Sequence, residues 1–432
     1  MLRFAPSPTG DMHIGDLRVA LFNYIVSQQQ KEDFIVRIED IDKAKNIEGK
    51  DQEILDILGL FNINYSQVIY QSEHVRFHSA MALQLIHEKK AFSCFCSPAW
   101  IQKKREEAKK ANKEYCYDDA CRNLPAELVI DNTNPFTIRI ARPEQAITIH
   151  DKIKGALTFD VNEVDSFIIM NQDKTPTYDF ACAVDDMLSD ISLIIREENH
   201  LKSTPKQEHV RASLSYDKKI EYAHIPLLQN AKGEKISHND LEATVKYLLE
   251  EGYLPEAISN YLILTGNNTP KEIFTLEEAT EWFDLSQISH TAVSFDLNVL
   301  KKINREHLKN LDAKELSRYV GFADAEIGAL ARIYLDEVST TKELKEKINP
   351  IFAPREIPSA LSADIETIKC IVKEAPYFEE YEAFKEHIVE ASQLTDERFT
   401  QLLRLLLTNA QEGPELQEIY KYLKNYIGEL IK

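Results

Sequence analysis

Residues 2–28 read LRFAPSPTGDMHIGDLRVALFNYIVSQ. Leu2 to Ala5 has the character of a short strand that stops at the turn Pro6-Ser7-Pro8-Thr9-Gly10. A helix follows, because Leu17, Ala20, Leu21, Tyr24 and Ile25 recur at the spacing of one buried helical face. Phe34 to Ile38 is then an apolar run of strand length. Strand, tight turn, helix, strand is the opening of a parallel α/β sheet. At such a strand-to-helix junction, backbone N–H groups and the helix dipole favour an anion. Gly10 and Gly15 let the main chain come close to a ligand. His13, at the start of the helix, can donate to a phosphate oxygen as charge builds in a transition state. On spacing alone, a histidine that only caps the helix is the simpler account.

Working outward, residues from about 75 to 160 break the alternation and read as an insertion. They hold a cysteine cluster, a Lys/Glu-rich stretch of helical character and a strand at Phe136–Ile140. Phe167–Met170 and Ser192–Ile195 resume the sheet. From about 240 onward the pattern is helical almost throughout, as in Leu241–Glu251 and Phe399–Leu407. A chain of 432 residues is too long for one compact core, so several domains are expected. There is no internal repeat and no low-complexity segment.

Nothing approaches an apolar run long enough to cross a bilayer. The start, MLRFAPSPTG, lacks the basic-then-apolar order of a signal peptide, which predicts a cytoplasmic protein with no membrane partner. The net charge of −20 counts against a nucleic-acid partner, since phosphate neutralisation needs Lys and Arg. That objection is global, and a basic strip on one face is invisible to composition. Of six cysteines, Cys94, Cys96, Cys116 and Cys121 fall in one short stretch. In a cytoplasmic protein such clustering points to a metal site more than to disulfides. Ile101–Lys113 has six basic residues but also Glu106 and Glu107, and reads as a solvated helix.

The line RFAPSPTGDMHIGDLRVALFNYIVSQ resembles the first signature of the glutamyl-tRNA synthetases of class I. The resemblance continues through RIEDID at 37–42, TFDVNEVDSFIIMNQDKTPTYDFACAVDD at 158–186 and IIREENHLKSTPKQ at 194–207. It goes on in HIPLLQNAKGEKISHND at 224–240, GYLPEAISNYLILTG at 252–266 and LLRLLLTNAQEGPELQEI at 402–419. It implies an α/β fold: a split Rossmann-type parallel sheet with an inserted α+β acceptor-binding domain, then an all-α anticodon-binding region. The implied boundaries are 1–75 and 161–232 for the two halves of the catalytic domain, and 76–160 for the acceptor-stem insertion. A stem-contact region at 233–310 and a helical domain at 311–432 complete the chain. The implied activity is ATP-dependent formation of glutamyl-adenylate from L-glutamate, with Mg2+, and transfer to the 3′ end of tRNA-Glu, tRNA-Gln or both, by a monomer.

Carried over residue by residue, the glutamate contacts match Arg3, Ala5, Ser7, Glu39, Tyr178 and Arg196. The chemistry suits, because guanidinium groups grip carboxylates in a fork and Glu39 can hold an ammonium. Arg196 looks like the family's specificity arginine. The ATP contacts match Pro8, Thr9, Gly10, His13, Gly15, Lys235 and His238, with His13, Lys235 and His238 serving the chemistry. Asp16 stands where relatives usually carry His or Gly. A carboxylate beside phosphates is repulsive, so Asp16 is expected to point outward or to cap the helix.

The second ATP signature departs further. Relatives carry a second lysine where Lys235-Ile-Ser237-His238-Asn239 has His238. An imidazole, with an ordinary pKa of about 6.5, is mostly neutral at pH 7, and adjacent phosphates raise that value. The substitution predicts glutamate activation that slows as pH rises above about 7, and slows less in His238→Lys. Identical pH–rate profiles for the two proteins would refute it.

In the insertion, Cys94, Cys96, Tyr117 and Cys121 resemble the zinc site of some family members, where CxC pairs with a later YxxxC or CxH. Asn123 occupies the histidine position of the CxH version, which favours Tyr117. Cys116 is a rival fourth ligand on pure ligand chemistry, and free buried thiols are the metal-less alternative. Cys370 is expected in a core, and the role of Cys182 is open. Two other functional readings stay in view: a degenerate paralogue that binds tRNA without catalysis, and a nucleotidyltransferase acting on a small acid.

Overall fold

The computed structural model describes the whole chain except residues 114, 231, 237–239, 356, 359–360 and 432. It divides into two compact units, one of residues 1–245 and 262–295, the other of 246–261 and 296–432.

In the first unit, β1 (Leu2–Phe4) runs into α1 (Ile14–Gln30) and out to β2 (Phe34–Ile38), as the opening segment predicts. Helix α2 (Lys50–Leu60) leads to β3 (Gln67–Tyr70), giving a parallel sheet in the order β1-β2-β3. Strands β1 and β2 are buried along their whole length, so they are apolar except for Arg3 and Arg37, which are buried with them.

Helix α3 (Val75–His87) leads into the insertion. There β4 (Ala91–Cys94), α4 (Pro98–Lys110), α5 (Ala126–Ile130) and β5 (Thr137–Ile140) follow in order. The hairpin β6 (Ile147–Asp151) and β7 (Gly155–Phe159) comes next, then β8 (Ile168–Met170). Strands β4, β5 and β8 form a small antiparallel sheet. Helix α4 buries no residue, in keeping with a solvated helix.

The parallel sheet then resumes. Helix α6 (Tyr178–Leu188), β9 (Leu193–Glu197), α7 (Thr204–Ser213) and β10 (Glu221–Ile225) set β10 between β6 and β9, parallel to both. The two half-sheets meet where the Ser192 N–H donates to the Met1 carbonyl at 3.0 Å. One apolar cluster joins them: Ile35 and Ile69 from the first half, Ile194 and Tyr222 from the second.

Three expectations need correction. The segment 241–251 is not one helix: Leu241–Ala243 is a single 3-10 turn, Thr244 is extended, and an α-helix spans Val245–Glu250. Phe167–Met170 does not resume the parallel sheet: β8 pairs antiparallel with β5 in the small sheet. Beyond 240 the chain is helical almost throughout, as expected, with the two-residue strand β12 (Val293–Ser294) paired in parallel with β11 (Leu228–Gln229). Cys370 is exposed, because Ile365, Ile368 and Val372 fill the inner face of helix Ser362–Glu374 and position 370 falls opposite them.

Past Asp296 the second unit is a series of helices from Leu297–Asn310 to Ile427–Leu430. Two of them, Ala313–Tyr319 and Ala325–Arg332, cross so tightly that a Cβ on Gly328 would lie 1.6 Å from the Ala313 carbonyl oxygen. Only glycine fits there. Among the described residues no helix is long and apolar enough to cross a membrane.

Candidate active site

The carboxyl ends of β1, β2 and β9 and the amino ends of α1 and α6 surround a cavity of about 240 Å³ in the first unit. Ligands of open α/β sheets sit at this end of the strands. Its walls include Arg3, Ala5, Ser7, Thr9, Gly10, His13, Glu39, Tyr178 and Arg196. These nine sequence-predicted residues thus converge, though His13 and Arg196 are 183 positions apart.

One wall is a buried ion network. Asp186 Oδ1, from α6, accepts from Arg37 Nη1 at 2.6 Å and from Arg3 Nε at 3.1 Å. Arg37 Nη2 also reaches Glu39 Oε1 at 3.2 Å. The Cys182 thiol donates to the same Glu39 oxygen at 3.1 Å. Burial pushes the Cys182 thiol well up, with Glu39 adding to the effect, so it stays protonated as a donor. This gives Cys182 a place: it helps to fix Glu39 at the cavity edge.

On the far side Arg196, only 6% exposed, extends from β9. Its Nη1 donates to Gln207 Oε1 at 2.9 Å, Nη2 to Thr204 Oγ1 at 2.7 Å and Nε to His224 Nε2 at 3.2 Å. None of these partners is a carboxylate. A buried guanidinium with neutral partners keeps its charge available to an acidic ligand.

At the third side, α1 begins with a capping box. His13 Nδ1 accepts from the Asp16 N–H, and Asp16 Oδ2 accepts from the His13 N–H, each at 3.3 Å. Asp16 does cap the helix. Because Nδ1 is the acceptor, the ring proton resides on Nε2, which lies 3.4 Å from Asp16 Oδ2. The cap thus uses one end of the ring and leaves the ring proton at the other.

Pro8 and Gly15 lie beneath this rim and do not line it. The Pro8 carbonyl accepts from the Ile47 N–H at 2.9 Å. A Cβ on Gly15 would come within 2.6 Å of Glu197 Oε1, so a carboxylate packs directly over the first turn of α1. Glu197 Oε2 is paired with Lys235 Nζ at 3.0 Å. Ser237, His238 and Asn239 fall outside the described residues.

Glu197 and His200 line the cavity but escaped sequence reasoning. Their only signal is proximity to Arg196 in REENH. His200 Nδ1 pairs with the Tyr178 hydroxyl at 3.1 Å. Burial, then Arg196 and Lys235, push His200 down to about 3, so it is a neutral hydrogen-bonding partner near Arg196.

In the insertion, the thiols of Cys94, Cys96 and Cys121 lie within 4.8 Å of one another, a group able to hold a metal ion. The buried Tyr117 hydroxyl is 3.4 Å from both Cys94 Sγ and Cys96 Sγ, and Cys96 and Cys121 are 3.6 Å apart. Arg139 Nε donates to Cys94 Sγ at 3.3 Å. Burial opposes the Cys94 thiolate, but hydrogen bonds from Tyr117, the Cys96 backbone and Arg139 prevail and bring it to about 7. The Cys116 thiol instead faces the Tyr117 carbonyl at 3.9 Å, apart from the other three.

A family profile described as tRNA synthetases class I (E and Q), catalytic domain, matches residues 1–302. The chain belongs to the class I glutamyl- and glutaminyl-tRNA synthetases. It is 62% identical, over the full length of both chains, to a glutamate–tRNA ligase 2 of Sulfurimonas denitrificans. A glutamate–tRNA ligase 1 of Nitratiruptor sp. is 50% identical, again over the full length of both. Among solved structures, a glutamate tRNA ligase from Elizabethkingia meningosepticum in complex with its amino acid superposes with a TM-score of 0.83. That match covers 99% of this chain and 97% of the other at 23% identity, and it bears on the fold alone. The split sheet, the antiparallel insertion and the helical C-terminal region are thus the architecture of a class I synthetase.

Proposed function

We propose that this synthetase joins L-glutamate to the AMP moiety of ATP, releases pyrophosphate, and passes the glutamyl group to the 3′ end of tRNA-Glu. The observation that carries the reading is the single cavity in which buried Arg196 and Arg3 face the amino end of α1. In adenylation, an α-carboxylate oxygen of glutamate attacks the α-phosphorus, and the bond to the β-phosphate oxygen breaks. No protein nucleophile is needed; catalysis rests on positioning and on charge stabilisation.

Arg196 takes the side-chain carboxylate, and Arg3 and Tyr178 complete the acid's pocket. Glu39, aligned by Arg37 and Cys182, takes the ammonium. Ala5 and Ser7 border the amino acid, while Thr9, Gly10 and the first turn of α1 seat the phosphates. His13 donates from Nε2, and Lys235 turns from Glu197 to the phosphates, with His238 beside it in sequence. Mg2+ bound with ATP would screen the phosphate charge. The protein works as a monomer in the cytoplasm.

Pyrophosphate exchange with glutamate, run with and without tRNA-Glu and tRNA-Gln, tests the reading. Exchange that depends on tRNA, followed by charging of tRNA-Glu, is expected. No exchange under any condition would leave a non-catalytic tRNA-binding protein. Exchange indifferent to tRNA would leave a small-acid nucleotidyltransferase.

Zinc fits the insertion. Bonds of about 2.3 Å to sulfur and about 2.0–2.2 Å to oxygen set tetrahedral edges of roughly 3.5–3.8 Å, close to the 3.4 and 3.6 Å separations among Cys94, Cys96, Tyr117 and Cys121. Bound there, zinc would cross-link β4 to the loop at 117–121. Purified protein is expected to hold about one zinc per chain, to lose it in Cys121→Ala, and to keep it in Cys116→Ser. Loss of zinc in Cys116→Ser with retention in Tyr117→Phe would reverse the choice of fourth ligand.

A further inference from the structure

Arg196 is held by a chain of buried groups that ends in the insertion. Its Nε–H points at His224 Nε2, 3.2 Å away. His224, on β10, is fully buried, and its Nδ1 lies 2.6 Å from Asp151 Oδ2. Asp151 is the last residue of β6, 6% exposed. Its Oδ2 accepts a second N–H, from the His224 backbone at 3.0 Å. Its Oδ1 accepts from the Ile153 and Lys154 N–H groups at 2.9 and 2.7 Å.

Four N–H groups therefore converge on one carboxylate. It is ionised, and it has nothing to donate. Burial opposes that charge, but His224 and the backbone donors outweigh it and hold the Asp151 carboxyl below its ordinary range.

This accounting decides where the imidazole proton sits. With Asp151 as acceptor, His224 carries its proton on Nδ1 and offers a lone pair at Nε2. That lone pair accepts from Arg196 Nε–H and faces the Thr204 hydroxyl at 2.9 Å, so it joins two of the groups that hold the guanidinium. Burial keeps His224 below its ordinary value despite Asp151, so the ring stays neutral and does not repel the guanidinium. Tyr222, stacked on the imidazole with centroids 5.9 Å apart, holds the plane of the ring.

A guanidinium is planar, so fixing its Nε–H fixes its plane. Arg196 has five N–H bonds, and His224, Gln207 and Thr204 take one from each nitrogen. The two that remain, one on each terminal nitrogen, are the number that a carboxylate accepts in a forked pair.

We propose that Asp151 and His224 are positioning residues for the glutamate side chain: Asp151 sets the His224 tautomer, and His224 sets the plane in which Arg196 grips the γ-carboxylate. The inference rests on the reading of Arg196 as the glutamate-binding arginine. It makes the end of β6, a strand of the insertion, part of amino-acid recognition.

The test is charging of tRNA-Glu by the full-length protein at saturating ATP and tRNA, with unfolding temperatures measured alongside. His224→Phe keeps the ring but removes the acceptor. Groups that orient metal ligands contribute about 10–100-fold; by the same logic the KM for glutamate is expected to rise about tenfold while kcat and the KM for ATP hold. His224→Gln, whose side-chain oxygen reaches the Nε2 position, should recover most of the loss. Asp151→Asn cannot accept four N–H groups; it drives the ring proton to Nε2, against Arg196, and should raise the KM for glutamate as His224→Phe does.

Arg196→Ala is the control for the underlying reading. An unchanged glutamate KM in Arg196→Ala would remove that reading, and the proposal with it. A raised KM in Arg196→Ala, with wild-type values in folded His224→Phe and Asp151→Asn, would overturn the proposal alone. If His224→Phe does not fold, the comparison of His224→Gln with Asp151→Asn decides: normal glutamate KM values in both would overturn it.

Discussion

Asp186→Asn is expected to lower folding stability by about 3–5 kcal/mol, measured by denaturant unfolding at pH 7. The carboxylate is completely buried, and its Oδ1 bonds both Arg37 and Arg3, themselves 0% and 4% exposed. Asparagine keeps the shape but leaves two guanidiniums out of water with one anion fewer, and an uncompensated buried charge is among the costliest defects. Burial works against ionisation of Asp186, but Arg37, Arg3 and Arg211 overcome it and hold its carboxyl well below the usual carboxylate range. With the native value depressed, the stability it contributes is fully present above the unfolded pKa of about 3.9. It is lost as pH falls from there toward the native value. The gap between wild type and Asp186→Asn should therefore be constant near neutrality and narrow below about pH 4. A loss under about 1 kcal/mol at pH 7 would show that Glu39 alone neutralises the pair.

His13→Asn should separate the two ends of the histidine ring. Asparagine is a good N-cap, so it can replace Nδ1 as acceptor of the Asp16 N–H and keep α1 folded. It has no donor that reaches where His13 Nε2 points. Loss of one preorganised donor to a developing charge costs roughly 10²–10³ in rate. The expected outcome is a kcat for tRNA-dependent pyrophosphate exchange reduced by that factor, with the KM for glutamate and the unfolding temperature near wild type. His13→Ala should show the same fall in kcat plus about 1 kcal/mol of lost stability from the broken cap. Wild-type kcat in folded His13→Asn would leave His13 as a capping residue and nothing more.

What could be read from the chain follows the range of the interactions. The strand, turn and helix of residues 2–30 are set by local spacing, and the structure reproduces them. Asp16 was legible for the same reason: His13 and Asp16 are three apart, and the capping box is a local device. The ammonium-side pocket was half legible. Glu39 and Arg37 stand in one short motif, but their buried partner Asp186 is on α6 and Cys182 gave no local clue to its contact with Glu39. The Asp151–His224–Arg196 chain had no signature at all. Its three members lie on β6, β10 and β9, and they meet only because the sheet sets β10 between the other two. Cys370 shows the opposite failure. Apolar character suggested burial, while the helical position two residues from Ile368 and two from Val372 turned it outward.

The Glu197–Lys235 pair gives the nucleotide end of the cleft an internal counter-ion. A carboxylate rests over the first turn of α1 and holds Lys235, the lysine proposed to meet the phosphates. Nucleotide entry is thus an exchange of one anion for another, and the intrinsic attraction of the triphosphate is offset by the contact it displaces. On the proposed reading, a polyphosphate chain offsets that loss by contacting the helix end and the lysine together.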